Sequence, residues 1–245
     1  MSNQSVGNQS VGKQPVGNQP VGKQPVGKKS VGRPARRPTQ PRTPRSPEAQ
    51  QRQQDILSIA MDTFAARGYN NASLAEIADR VGLTQAGVLH YFRSKALLLT
   101  SVLELRDRAD IEQLGPDRPQ GLDFLRHLVN TALRNAEREG IVRLYAVLSA
   151  ESVTDDHPAQ DYFRDRYDGL RVFVADALSE ACELPADRAE MTGNAANAII
   201  AVMDGLQVQW LLSPDSVDMA ASTDLVVTSL LATLAPERFG PSSPS

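Results

Sequence analysis

The sequence is poor in the side chains that most metal and redox chemistry needs. It holds one cysteine, Cys182, and three histidines in 245 residues. This excludes an internal disulfide and a cysteine-based zinc site, and it suits a reducing compartment. With no Glu-x-x-His pair and no nucleophile–base array, a helical-bundle enzyme is disfavoured. Aromatic residues make up only 5% of the chain, which argues against a broad aromatic cage for flat cationic drugs. The most apolar stretch, residues 191–213, is interrupted by Asn194, Asn197, Asp204, Gln207 and Gln209, and a membrane span tolerates few such residues. The first residues carry cations without an apolar run, so no secretory signal is read there. The expectation is a soluble, cytoplasmic protein without cofactor, metal or membrane partner.

What is present is unevenly distributed. Residues 1–47 hold nine basic side chains, no acidic one and eight of the 16 prolines. They contain no Leu, Ile, Phe, Tyr or Trp, so they lack the apolar surface that would offset chain entropy. From Asn3 a five-residue unit recurs six times (NQSVG, NQSVG, KQPVG, NQPVG, KQPVG, KKSVG), which favours a solvated, extended chain. The stretch Arg33–Arg45, RPARRPTQPRTPR, is denser in charge. It reads either as a semi-rigid linker or as an arm laid against nucleic-acid phosphates or into a minor groove. Residues 48–95 are balanced, with five basic and five acidic side chains, whereas 96–245 have 12 and 24. DNA would repel the acidic region and not the other two. Four regions are therefore expected: a disordered basic tail over 1–45, a neutral domain over 46–95, a larger acidic domain over 96–236, and a disordered tail over 237–245.

The body reads as all-α. Apolar residues recur at spacings of three and four, with no sustained two-residue alternation. Helix 1 opens with Ser46-Pro47-Glu48, a cap, a first-turn proline and an acid near the dipole's positive end. It carries Ile56, Ile59, Ala60, Thr63 and Phe64 on one face and stops at Gly68. Ser73-x-x-Glu76 is a capping box that starts helix 2, which ends at Gly82. A short helix 3 follows Thr84. Ser94 caps helix 4, whose Leu97, Leu98, Val102 and Leu105 are expected to face one way. Further helices are expected near 120–139 up to Gly140, 141–153, 158–183, 186–212 and 217–235, about nine in all.

Residues 74–91, LAEIADRVGLTQAGVLHY, have the spacing of a helix-turn-helix. Two helices crossing steeply through a short turn need a small residue at the approach and a glycine at the reversal, and Ala78 and Gly82 occupy those places. Ile77, Val81, Leu83 and Val88 supply the core between them. The run from Ile56 to Leu99 resembles the N-terminal domain of the TetR family of bacterial transcription regulators. The resemblance rests on F-x-x-x-G-Y ending helix 1, a hydroxyl residue opening helix 2, E-I-A-x-x-V-G, and H-Y-F-x-S-K-x-x-L into helix 4. The chain departs from many members in having Leu89 where they carry tyrosine.

The resemblance implies a homodimer of nine or ten helices per chain, with an N-terminal DNA-binding domain and a ligand-binding C-terminal domain. It implies a repressor that binds a palindromic operator and leaves it when an effector binds. A nonspecific DNA-coating protein using the basic tail is the alternative. Thr84 caps helix 3 and is placed to hold a phosphate with free N–H groups. Gln85 reaches a base edge, and Gly87 leaves room for close approach. By the same resemblance His90 and Tyr91 are expected toward the DNA backbone, with Lys95 as a point charge there and Ser73 as a contact from helix 2. For the effector pocket the larger side chains between 120 and 183 are candidates: Phe124, Leu128, Tyr145, Leu148, Tyr162, Phe163 and Tyr167, with Asn197 as a polar group. For the dimer interface Ile199, Val202, Met203, Leu206 and Trp210 are expected from one long helix, with Val226 and Leu230 from the last. Asp155-Asp156-His157-Pro158 reads as a loop before a helix rather than as a metal site.

Overall fold

The structure, a computed structural model, describes residues 46–115 and 118–240. The repeats, the Arg33–Arg45 stretch and the last five residues lie outside the described residues. All regular structure among the described residues is helical. In order these are α1 (Pro47–Asn71), α2 (Leu74–Val81), α3 (Gln85–Tyr91), α4 (Lys95–Gln113), α5 (Gly121–Asn135), α6 (Glu139–Glu151), α7 (Gln160–Ala181), α8 (Ala189–Leu212), α9 (Met219–Leu234) and the single turn α10 (Pro236–Phe239).

Helix starts follow local chemistry. Ser46 Oγ accepts from Ala49 N at 3.3 Å, and Ser94 Oγ accepts from Leu97 N at 3.1 Å. Each satisfies one of the amides left without a partner in a first turn. Its own backbone amide and the Ser46 hydroxyl hold the exposed Glu48 carboxyl below its usual range.

Two apolar cores carry the fold. The first joins α1–α4 to α6 and the start of α7, with Ile56, Phe64, Ile77, Val88, Leu98 and Leu148 fully buried. The second lies among α5, α7, α8 and α9 around Leu125, Val174, Leu178 and Ile199. Burying each such side chain contributes about 1.5–3 kcal/mol. A smaller cluster at Trp210, Leu206 and Val142 closes the α6–α8 side.

Three expectations change. The buried stripe of α4 is Leu98, Leu99, Val102, Leu103 and Arg106, whereas Leu97 and Leu105 are 51% and 39% exposed. The helix is turned by about one residue because it packs against α1 on one side and faces α6 and α7 on the other. Gly140 lies inside α6 rather than ending α5, which closes earlier at Asn135 through Ala136 N–H to Leu133 O. Residues 237–239, expected to be tail, belong to α10, whose Phe239 packs on the second core while Arg238 pairs with Glu183. The segment Ala186–Leu212 is long and apolar enough to cross a membrane. Its Ala195, Ala196, Ile199, Leu206 and Trp210 nevertheless pack into the protein's own cores, which accounts for that composition.

Candidate functional site

The helix-turn-helix is built by short-range bonds. Ser73 Oγ accepts from Glu76 N at 3.0 Å, but the Glu76 carboxylate goes to Arg67 at 2.8 Å rather than back to the cap, so half of the capping box forms. Gly82 adopts φ 69° and ψ 34°, which lets Leu83 N–H return to Ala78 O at 2.9 Å. Thr84 Oγ accepts from Gly87 N at 3.1 Å and opens α3. Val88 anchors that helix in the core, leaving Thr84, Gln85 and His90 exposed and Gly87 half-buried. Tyr91 packs partly on the first core, with the His90 ring edge-on to it. Lys95 is placed differently from a free point charge. Its ammonium bonds Asn70 O at 3.4 Å and sits 4.4 Å from the Tyr69 ring centroid, and burial lowers its pKa against the opposing pull of Glu151.

A second cluster joins this head to the rest. Gly68 interrupts α1 at φ 71° and ψ 178°, and the next amide, Tyr69 N–H, donates to Glu151 Oε2 at 2.6 Å. The same carboxylate faces His157 Nε2 at 3.7 Å, and the His157 ring stands edge-on to Tyr69. Burial lowers the His157 pKa, with Glu151 opposing. The Asp155–Pro158 tetrapeptide is a loop that sends its histidine inward to this joint. Among the described residues no group of three or more His, Cys, Asp or Glu is arranged to hold a metal.

Between α4, α5, α6, α7 and α8 lies a cavity of about 180 Å³. Of the expected residues, Phe124, Leu128, Tyr145, Phe163 and Tyr167 line it. Leu148 is instead sealed in the first core, and Tyr162 is held beneath the cavity by a hydrogen bond to Asp107 at 2.7 Å. Asn197 is exposed on the outer side of α8, where the helix turns it away from the cavity.

The cavity's charged residues escaped sequence reading. Arg106 pairs with Asp110 at 2.8 Å, and Arg166 pairs with Asp107 at 3.0 Å. Asp107 also accepts from Tyr145 at 2.8 Å, so the single protons of the Tyr145 and Tyr162 hydroxyls both go to this carboxylate. Across the cavity, Tyr167 donates to Asp204 at 2.7 Å, and burial raises the Asp204 pKa despite that bond and Arg166. The available signal was positional, since Arg106 continues the stripe of Leu99, Val102 and Leu103. A charge in register with a buried face has to find partners there.

The two regions correspond to two family models. Residues 56–102 match the N-terminal model of the bacterial regulatory proteins, tetR family, and 122–235 match the BetI-type transcriptional repressor, C-terminal. The chain belongs to the TetR family. The chain is 29% identical over 183 residues to the transcriptional regulator TtgR of Pseudomonas putida, covering 69% of this chain and 84% of that one. It is 28% identical over 178 residues to AcrR of Shigella flexneri, covering 68% and 81%. A transcriptional regulator of Saccharomonospora viridis solved with choline shares the fold, with a TM-score of 0.57, 20% identity and coverage of 72% and 94%. This TetR-family protein is thus a DNA-binding transcriptional regulator.

For such a regulator to dimerise, apolar surface must remain outside the protomer. Ile199, Leu206 and Trp210 are buried within it, and Met203 lines the cavity, so those expected interface side chains serve the chain's own packing. Val202, Val226 and Leu230 are half-buried. The outer faces of α8 and α9 expose Val208, Leu212 and Leu225 at 47%, 79% and 67%.

Proposed function

We propose that this cytoplasmic repressor binds a palindromic operator as a homodimer and leaves it when an effector occupies the α4–α8 cavity. The observation that carries the reading is the 19-residue helix α4, which begins at Lys95 against the DNA-binding head and carries Arg106 and Asp110 into the cavity wall. Eleven residues of helix place those ends about 16 Å apart. A shift of α4 on effector binding would move the head, and operator DNA would weaken effector binding by the same factor.

In this reading Thr84, Gln85, Gly87 and His90 face the major groove and its phosphates, Ser73 and Tyr91 flank them, and Lys95 mainly orients the head. The exposed apolar side chains of α8 and α9 support dimerisation through those helices, and the two heads would then meet half-sites about 34–36 Å apart. A basic arm within 1–45 would add affinity rather than specificity.

Binding-site selection from random DNA tests the reading: a palindrome is expected, and recovery of DNA without a motif would favour the nonspecific alternative. In the same selection Gln85→Ala should relax one position per half-site, a loss of about 1–3 kcal/mol of discrimination. Unchanged selectivity would remove Gln85 from the reading residues.

Gly87 allows a cleaner separation. A Cβ there would meet Thr84 Oγ1 at 3.4 Å and Leu83 Cβ at 3.5 Å, both ordinary contacts. Gly87→Ala should therefore stabilise the protein by about 0.5–1 kcal/mol through helix propensity, while weakening operator binding by crowding the groove. A raised Tm with undiminished operator affinity would place Gly87 away from DNA.

A further inference from the structure

The cavity is electrostatically lopsided. Arg106, with a side chain only 6% exposed, spends one terminal nitrogen on Asp110 and Asp107, yet its Nε is buried without a partner. Arg134 donates to Thr131 Oγ1 at 2.8 Å, and its Nε is likewise buried and unpartnered. No carboxylate pairs with Arg134 among the described residues. The two acids at this end are already engaged, Asp110 by Arg106 and Arg138, Asp107 by Arg166 and two tyrosine hydroxyls. The cavity wall itself holds three arginines, Arg106, Arg134 and Arg166, against two aspartates, Asp110 and Asp204. His127, also in the wall, does not add an acid, and burial and Arg134 lower its pKa toward the neutral form. The second carboxylate of the wall, Asp204, lies on α8 and accepts from Tyr167.

A buried guanidinium N–H without an acceptor is costly, and a carboxylate satisfies it with the best geometry. The other walls are apolar, with Phe124, Leu128, Ile200 and Met203. At about 180 Å³ the space is smaller than the roughly 300–1,000 Å³ of sites for drug-sized molecules. We infer that the effector is a compact organic acid whose carboxylate pairs with the Arg134 guanidinium, which lines the cavity and has no carboxylate partner among the described residues, and whose apolar body lies against Phe124, Ile200 and Met203. A quaternary ammonium would meet the guanidinium groups unfavourably, and of the two acids in the wall Asp110 is already paired with arginine, leaving Asp204 as counter-ion. The inference rests on the reading of this cavity as the effector site.

Calorimetric titration of the full-length protein tests it, with benzoate, 2-hydroxybenzoate, phenylacetate and hexanoate as probes up to low-millimolar concentration and choline as counter-probe. At least one acid should bind, and its affinity should fall about tenfold or more in Arg134→Met, while Asp204→Asn leaves it equal or tighter. Should Arg134→Met fail to fold, Arg134→Gln removes the charge at similar length and is expected to show the same loss. No binding by any of the four acids would overturn the inference. Choline binding that is lost in Asp204→Asn would overturn the acid assignment and leave the cavity as effector site. Acid binding indifferent to both Arg134 and Asp204 variants would overturn the acid assignment together with the cavity reading.

Discussion

Gly68→Ala should destabilise the protein by about 3 kcal/mol, read as a lowered Tm and a lowered denaturant midpoint. Two effects add. At φ 71° and ψ 178° the backbone is in a region that is essentially restricted to glycine, where a side chain costs about 1–3 kcal/mol. A Cβ at that position would also overlap the Glu151 carboxylate, which holds the neighbouring Tyr69 amide. Displacing it would loosen a charge-assisted hydrogen bond, about 1.5–3 kcal/mol. The double variant with Glu151→Ala separates the terms, because removing the carboxylate leaves only backbone strain. The cost of Gly68→Ala should then be clearly smaller in the Glu151→Ala background. Equal costs in both backgrounds would mean that the close approach of α6 to α1 contributes nothing. Since this contact ties the head to α6, operator affinity should fall along with stability.

Replacing Asp107 by alanine is the second large effect, about 2–4 kcal/mol. Its two oxygens accept from Tyr145, Tyr162 and Arg166, so the substitution leaves two hydroxyls and a guanidinium short of an acceptor. Removing one partner of such a network costs more than the network itself contributes, because the remaining charge stays desolvated. Asp107 is one-quarter exposed, which limits the penalty below that of a fully enclosed pair. Asp107→Asn keeps an acceptor and loses the charge, so it should fall between wild type and alanine. An alanine variant within 0.5 kcal/mol of wild type, judged against the usual scatter of surface substitutions of about that size, would show that water replaces the carboxylate at little cost.

The head could be read residue by residue because its determinants are local. Ser73, Thr84 and Ser94 each cap an amide three residues on, and Gly82 reverses the chain within one turn. The helix boundaries of α1 to α3 follow from such contacts, as does the exposure of Gln85 once Val88 is buried. The cavity was legible only in part. Its aromatic members stood out by size, but Tyr162 and Leu148 belong to layers beside it, and the difference depends on how α7 and α6 are rotated. Leu97 and Leu105 were misplaced for the same reason. An apolar run on a helix defines a broad stripe, and a neighbour decides which edge of the stripe is covered.

Sequence alone determined the all-α class, the helix-turn-helix and its caps, and the division of charge between a basic N-terminal segment, a neutral head and an acidic body. Those properties come from periodicity, capping and charge over a few residues or over whole segments. Tertiary structure alone decided which charges meet. Glu151 reaches Tyr69 across 82 positions, and Arg106, Arg134 and Arg166 converge from three helices on one small cavity. Such encounters have no local period, because they depend on the packing angles of helices far apart in the chain. The excess of positive charge in the cavity of an acidic domain is therefore a property of the fold and not of the composition.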